Sequence, residues 1–370
     1  MKKDLTFGMM RLPVTSDGKV DIDETSRLAD AFLERGFRRF DTAELYHDTM
    51  SEYAVHECLV KRHKREDFEI ADKLSSWRMS EGMSAEEFFQ RQLKVVGVDY
   101  FDRYLLHSVE PAVYEAAEKN GYFDFIFQKK AKGIVRQAGF SFHGSPELLE
   151  EVLTKYPEAD FVQLQINYMD WDNPSVRAKE CYDVARRHKK NIFVMEPVKG
   201  GMLADLSGRA GEILRNYAPG KSIASWAIRF AASLEGVESV LSGMSNWDQL
   251  LDNCETMSDF KALDDEELKV IGQVRAVLKS IPQIECTACN YCKDACPVEL
   301  PISGYLKVLN NLRIYGAAAG VRNSYRWHTQ KHQPSECVSC RCCVDVCPQH
   351  LDIPGHLEAL SKLAGELTGK

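Results

Sequence analysis

Basic surplus, a long apolar run and a leader-like opening are all missing from this 370-residue chain. Lys and Arg number 47 against 55 Asp and Glu, a formal net charge of −8. Phosphate backbones are bound by basic surfaces, so nucleic acid is excluded as a generic partner. No stretch reaches the roughly 18 apolar residues of a membrane span; the apolar segment 222–234, for instance, is broken by Arg229. Met1-Lys2-Lys3-Asp4 leads into no apolar signal region, so a cytoplasmic protein without membrane attachment is expected. With 44% apolar and 28% charged residues, the composition is that of a globular chain long enough for two domains. Nothing in it reports an oligomeric state.

What is present in excess is patterned cysteine. Cys286-x2-Cys289-x2-Cys292-x3-Cys296-Pro297 recurs as Cys337-x2-Cys340-x2-Cys343-x3-Cys347-Pro348, which takes eight of the chain's 12 cysteines. Four thiolates closed by Cys-Pro is a spacing used for [4Fe–4S] centres. Zinc ribbons instead use separated Cys-x2-Cys pairs, disulfides suit neither this density nor an intracellular chain, and simple packing cysteines would not be spaced twice alike. Two [4Fe–4S] clusters are therefore expected. In two-cluster ferredoxins the fourth cysteine of each run ligates the other cluster. Carried over, one cluster takes Cys286, Cys289, Cys292 and Cys347, and the other takes Cys337, Cys340, Cys343 and Cys296. Cys342 is off register and no ligand. Cys58, Cys181 and Cys254 fall in helical patterns and read as packing residues. The long segment between the runs reads as helix over 305–315 and 317–319, resembling the α-helical dicluster ferredoxins that serve as electron-transfer modules.

The first 270 residues alternate strand and helix signals. Strands are predicted at 6–10, 37–41, 68–73, 101–107, 136–142, 161–167, 192–196 and 237–243. Between them lie helix signatures: the capping box Ser84-x-x-Glu87, the Ser145-Pro146 start before Leu149, Val152 and Leu153, and the stripe Leu28, Phe32, Leu33 ended by Gly36. Eight such units over about 250 residues predict an α/β (β/α)8 TIM barrel. A doubly wound sheet is the alternative, but no G-x-G-x-x-G follows any strand. The expected division is a barrel over 1–262, a linking helix at 263–280 and a mainly α-helical two-cluster ferredoxin domain over 281–370.

Asp41, Lys73 and His107 end three successive predicted strands, about one βα unit apart, and Tyr46 follows Asp41 in the adjoining loop. In a barrel this places them together at the face where active sites form. Singly each has a plain reading: a helix cap, a solvated lysine, a core histidine. Together they form a candidate site. Phe40-Asp41-Thr42-Ala43-x-x-Tyr46, Asp72-Lys73-Leu74, Tyr104-Leu105-Leu106-His107, Gly139-Phe140-Ser141, Gln163-x-x-x-Asn167 and Ser242-Gly243 resemble the aldo-keto reductase family over residues 5–260. The whole chain resembles aldo-keto reductases fused to a ferredoxin-like domain.

The resemblance implies a catalytic tetrad of Asp41, Tyr46, Lys73 and His107, acting on a small-molecule carbonyl or alcohol with NADP or NAD. Tyr46 would be the general acid, Lys73 would lower its pKa from about 10, Asp41 would hold Lys73, and His107 would orient the carbonyl. It further implies that Ser141 and Gln163 bind the carboxamide. Pro197, Lys199 and Gly201, with Gly243, Ser245, Gln249 and Asn253, would hold the pyrophosphate and adenosine. Met10 and Arg11, at the end of the first strand, complete the expected nucleotide contacts. Phe142 stands where the family has asparagine, Met195 where an aromatic stacks on nicotinamide, and Gln249 where arginine grips a 2′-phosphate. NADP, NAD and flavin therefore all stay open. Two functions are expected: a carbonyl reductase whose clusters exchange electrons with a ferredoxin-like partner, or an electron-transfer or redox-sensing protein with a slow barrel and clusters that could be structural. His143 either contacts substrate or ends a strand. The stretch 322–328 reads as a solvated helix face.

Overall fold

The computed structural model describes residues 3–368. Eight parallel strands close in chain order into one barrel: β1 Asp4–Gly8, β2 Arg39–Asp41, β3 Glu69–Leu74, β4 Phe101–Val109, β5 Val135–Phe142, β6 Phe161–Gln165, β7 Asn191–Met195 and β8 Val237–Ser242. Helices alternate with them: α1 Ile22–Glu34, α2 Met50–Val55, α3 Ala85–Val96, α4 Pro111–Asn120, α5 Tyr122–Ala131, α6 Pro146–Lys155 and α7 Ala178–Arg187. The TIM-barrel expectation is met, and each predicted strand overlaps an observed one.

The helix starts follow the local chemistry. Ser84 and Glu87 form the reciprocal capping box of α3, and Gly97 closes that helix at φ 77°, a left-handed conformation glycine adopts freely. Ser145 caps α6, with Pro146 in its first turn. The barrel interior follows from strand alternation. Ala71, Leu105, Phe161, Phe193 and Leu241 form one buried apolar cluster. Gly139 leaves room for Phe161, because a Cβ there would lie 2.4 Å from the Phe161 carbonyl oxygen.

The chain groups into two compact units, and the grouping is not sequential. Residues up to Pro197 with Ser225–Leu263 make the first; Val198–Ala224 with the chain from Asp264 make the second. Within the first unit α10, Trp247–Ser258, packs on β1 and α1. The α9 helix, Ile223–Ser233, precedes β8. Within the second, α8, Gly208–Tyr217, packs along α11, Asp265–Lys279, through Ala210, Gly211 and Leu214 on one side and Val270, Ile271, Val274 and Leu278 on the other. The α11 helix falls within the linking helix expected at 263–280, and Asp264 and Glu267 cap it. Two short turns of helix, α12 Tyr291–Asp294 and α15 Cys342–Asp345, sit inside the cysteine runs. Between the runs are α13 Ile302–Tyr315 and α14 Ala319–His328, and α16 Ile353–Lys362 follows the second. Val321 and Tyr325 bury one side of α14, while Arg322, Arg326 and Trp327 face solvent. No helix among the described residues is long and apolar enough to cross a membrane.

Candidate active site and cluster ligands

One pleat beyond the apolar cluster, the inward positions of β3, β4, β6 and β7 are Lys73, His107, Gln163 and Met195, and Ser141 pairs with Gln163 in register. Asp41 shares the inward face through its register with Ala71. Buried polar groups therefore cap an apolar plug at the C-terminal end of the strands, where barrel sites are built.

Lys73 is 1% exposed, and its Nζ donates to Asp41 Oδ1 at 2.6 Å and to the Thr42 carbonyl at 2.6 Å. Burial disfavours its ammonium, but Asp41 and Tyr46 outweigh that and hold Lys73 charged. Burial raises Asp41, with Lys73 opposing; the two short donations to oxygen favour the ionised pair. The Lys73 ammonium lies 4.9 Å from the centre of the Tyr46 ring. Tyr46 departs from expectation: burial pushes its hydroxyl above the ordinary value near 10, and the lowering effect of Lys73 does not offset it. Tyr46 thus holds its proton firmly.

His107 sits where β4 bulges. Ser108 takes φ 58° and donates its N–H to Ser141 Oγ at 2.7 Å, and the β4–β5 register shifts there. Burial, followed by Lys73, keeps His107 well below the ordinary imidazole range, hence neutral. Its Nδ1 lies 2.7 Å from Ser75 Oγ. With that hydroxyl donating, Nε2 carries the hydrogen and can donate to a carbonyl oxygen. The rings of Tyr46 and Trp77 lie 6.1 and 5.3 Å from the His107 ring. Ser75 and Trp77 were not singled out in sequence, although Ser75 follows Lys73 at the alternate position and so shares its face.

The expected nucleotide contacts divide. Ser245 donates its hydroxyl to the Arg11 carbonyl at 2.7 Å and its N–H to Gln249 Oε1 at 2.8 Å. Asn253 donates to Ser242 Oγ at 2.9 Å. A Cβ on Gly243 would lie 3.0 Å from Arg11 Cβ. Arg11, Gly243, Ser245, Gln249 and Asn253 are therefore assembled where β1 meets β8, and Met10 is 54% exposed. Ser141 and Gln163 face each other across β5 and β6. Ser141 accepts through its oxygen and keeps its hydroxyl proton to donate, and the Gln163 amide makes no hydrogen bond among the described residues. These groups fit a carboxamide. Phe142 lies on the opposite face of β5, packed on Phe140. Pro197 ends the β7 segment in the first unit. Lys199 and Gly201 fall in the second, where Gly201, φ 95°, backs onto Ala319 and Gly320. His143 follows β5 and is exposed.

In the cysteine segment, each of two pockets draws cysteines from both runs. Cys286, Cys289, Cys292 and Cys347 line one pocket; Cys337, Cys340, Cys343 and Cys296 line another. The backbone repeats with the sequence. Ala288, Asn290 and Glu299 have positive φ, as do Ser339, Arg341 and His350 at matching places. Left-handed residues cost side-chain-bearing positions energy, and alternating with right-handed ones they form concave nests of N–H groups found at many iron–sulfur sites. Each quartet lines its own pocket, and the repeated spacing with its repeated backbone conformation fits a [4Fe–4S] cluster. Cys342 is exposed, whereas burial pushes Cys58 up to about 11 and Cys181 and Cys254 to about 12, as inert packing thiols would be.

Comparison with known proteins agrees with this geometry. Among curated relatives, an uncharacterized oxidoreductase, YqkF, of Bacillus subtilis is 23% identical over 66% of this chain and 85% of its own. An aldo-keto reductase of Mycobacterium ulcerans is 26% identical over 65% and 80%. Among solved structures, the aldo-keto reductase AKR11C1 of Bacillus halodurans, holo form, superposes with TM-score 0.59 at 23% identity, covering 73% of this chain and 91% of its own. A Klebsiella pneumoniae aldo-keto reductase in complex with NADPH gives 0.57 at 17%, covering 74% and 90%. The 4Fe-4S dicluster domain model matches residues 285–351, and the aldo/keto reductase family model matches residues 4–276. The chain belongs to the aldo/keto reductase family and carries a C-terminal 4Fe-4S dicluster domain, which makes it an iron–sulfur oxidoreductase.

Proposed function

We propose that the protein reduces a small carbonyl compound, or oxidises the matching alcohol, with NADPH or NADH, and that its clusters carry electrons to or from a ferredoxin-like partner. The observation that carries this reading is the Asp41–Lys73–Tyr46–His107 assembly at the barrel mouth. Bound there, a reduced nicotinamide supplies a hydride to the carbonyl carbon. The chain's own groups do the rest. The neutral His107 donates from Nε2 to the carbonyl oxygen and fixes its direction. Tyr46 gives its proton to the oxygen as it gains charge, and the Lys73 ammonium stabilises the phenolate left behind. Asp41 holds Lys73 charged and in place. Ser141 and Gln163 would orient the carboxamide, and Arg11 with Ser245, Gln249 and Asn253 the adenosine side. Met195 in place of an aromatic offers a softer platform, and Gln249 in place of arginine favours no particular 2′ substituent. The clusters supply one-electron transfer.

The test has two arms. Anaerobic titration of the holoprotein with NADPH, and separately NADH, is followed at the cluster absorbance; bleaching supports one redox circuit. Clusters that bleach only with dithionite argue that barrel and clusters work separately. In the second arm, Tyr46→Phe should cut carbonyl turnover about 10²–10⁴-fold with clusters retained. Unchanged turnover overturns the assignment.

A further inference from the structure

Behind Lys73, on the outer face of β3, lies a group of buried polar side chains that the proposed chemistry does not use. Asp72 is 0% exposed, Glu52 of α2 3%, and Gln92 of α3 and Tyr104 of β4 0% each. Their hydrogens can be accounted for one by one. Tyr104 has a single proton and donates it to Gln92 Oε1 at 2.5 Å. This orients the amide, whose Nε2 donates to Glu52 Oε1 at 2.8 Å and to the Lys73 carbonyl at 3.1 Å. Asp72 Oδ1 accepts the Lys73 N–H at 2.8 Å. Asp72 Oδ2 is enclosed and has no donor among the described residues, yet the Glu52 carboxyl lies within hydrogen-bond reach of Asp72. Two ionised carboxylates cannot face each other in such a place, because burial and mutual repulsion both oppose it. A hydrogen between them satisfies the orphaned oxygen and removes one charge.

We propose that Glu52 and Asp72 share one proton, and that this acid–carboxylate pair is a positioning device that joins β3 to α2 and fixes the charge behind the Lys73–Tyr46 pair. Other charges face the pair. Glu44 lies near Glu52 and is itself tied to Arg78 and Arg91. Asp41 and Lys73 lie on the inward side. Among the described residues no cationic side chain bonds to either carboxyl directly. Burial and the facing Glu52 push Asp72 well above the ordinary carboxylate range, and burial with Glu44 raises Glu52. Losing the shared proton would place a second negative charge behind Lys73, and both Lys73 and Tyr46 would then hold their protons more tightly.

The shared proton is tested without turnover; only its effect on the rate rests on the reading above. Infrared spectra of the full-length holoprotein at pH 7 should show the carbonyl stretch of a protonated carboxylic acid, shifted in D2O. The band should vanish in Asp72→Asn and in Glu52→Gln, where an amide N–H replaces the shared hydrogen. A wild type without the band, or a band that survives both substitutions, overturns the proposal. Stability gives a second readout, and the double variant serves if a single one folds poorly. Carboxyls raised on folding give stability that is complete below their unfolded values near 4. That stability declines as pH rises toward the folded values, by about tenfold per pH unit in the folding constant for one proton. The wild type should show this decline and the double amide variant should lose it; equal slopes overturn the proposal. In turnover, Asp72→Asn should shift the alkaline limb of kcat to lower pH with KM unchanged. An unshifted limb overturns the positioning role, whereas turnover persisting in Tyr46→Phe overturns the catalytic reading and leaves the infrared result standing.

Discussion

In the proposed reaction, Ser75 sets which nitrogen of His107 is left to meet the carbonyl. Its hydroxyl, fully buried, meets Nδ1 at 2.7 Å. Ser75→Ala should lower kcat by up to about tenfold, the worth of one hydrogen bond, while cluster content and melting stay unchanged; steady-state kinetics beside iron analysis would show it. The pH profile should also be unusual. His107 is held well below the ordinary imidazole range near 6.5, so it stays neutral on mild acidification and the acid limb of the rate should lie well below that range. A limb at 6.5 would mean that His107 does not sit as described. The positions of Asp41, Lys73 and His107 were legible in the sequence because each lies towards the C-terminal end of a strand, one βα unit from the last, with Tyr46 in the loop after the first. Ser75 was not, since a serine two residues past a lysine has no meaning until the strand's inward face is known. The raised Tyr46 was also out of reach, because desolvation depends on walls supplied by distant residues.

At the level of elements, Gly139 of β5 pairs with Phe161 of β6 with no room for a side chain. A Cβ would lie 2.9 Å from the Phe161 ring and 2.4 Å from the Phe161 backbone oxygen, a contact that no side-chain rotation relieves. Gly139→Ala should destabilise the barrel by roughly 1–3 kcal/mol, read as a lower urea midpoint, without changing the tetrad. Strands and helices were legible wherever pattern and cap agreed: Ser84 with Glu87, Ser145 with Pro146, Asp264 with Glu267. Boundaries slipped where tertiary contacts decide them. The stretch predicted as a strand over 6–10 ends at Gly8, where a Cβ would lie 3.4 Å from the Ser242 backbone, and turns into a short helix at Met9–Arg11. The stretch predicted at 161–167 ends at Gln165, after which Asn167 turns back to take the N–H groups of Met169 and Asp170.

For the whole molecule, the grouping of Val198–Ala224 with the chain from Asp264 onward was invisible in the sequence, since α8 carries an ordinary amphipathic pattern that names no partner. It makes a prediction about truncation. A chain ending at Leu263 keeps α8 but loses α11, which leaves Ala210 and Leu214 uncovered. Such a fragment should aggregate or bind an apolar dye strongly, whereas a fragment that is soluble and melts cooperatively would contradict this. The cysteine exchange makes another. Cys347→Ser alters the second run in sequence but the first pocket in space, so it should remove the cluster assigned to Cys286, Cys289 and Cys292 and leave the other. Iron analysis near half the wild-type value, with one electron-paramagnetic-resonance signal left on reduction, is the expected result.

That exchange also sets a schedule. A growing chain reaches Cys286, Cys289 and Cys292 early, yet the pocket they share waits for Cys347, and the pocket of the second run waits for nothing but its own synthesis because Cys296 is already made. Neither can close before α13 and α14 have emerged between them. Loading of either pocket with its own quartet is thus deferred until the barrel upstream has been synthesised, and iron delivered too soon meets Cys286, Cys289, Cys292 and Cys296, the last of which belongs to the other pocket.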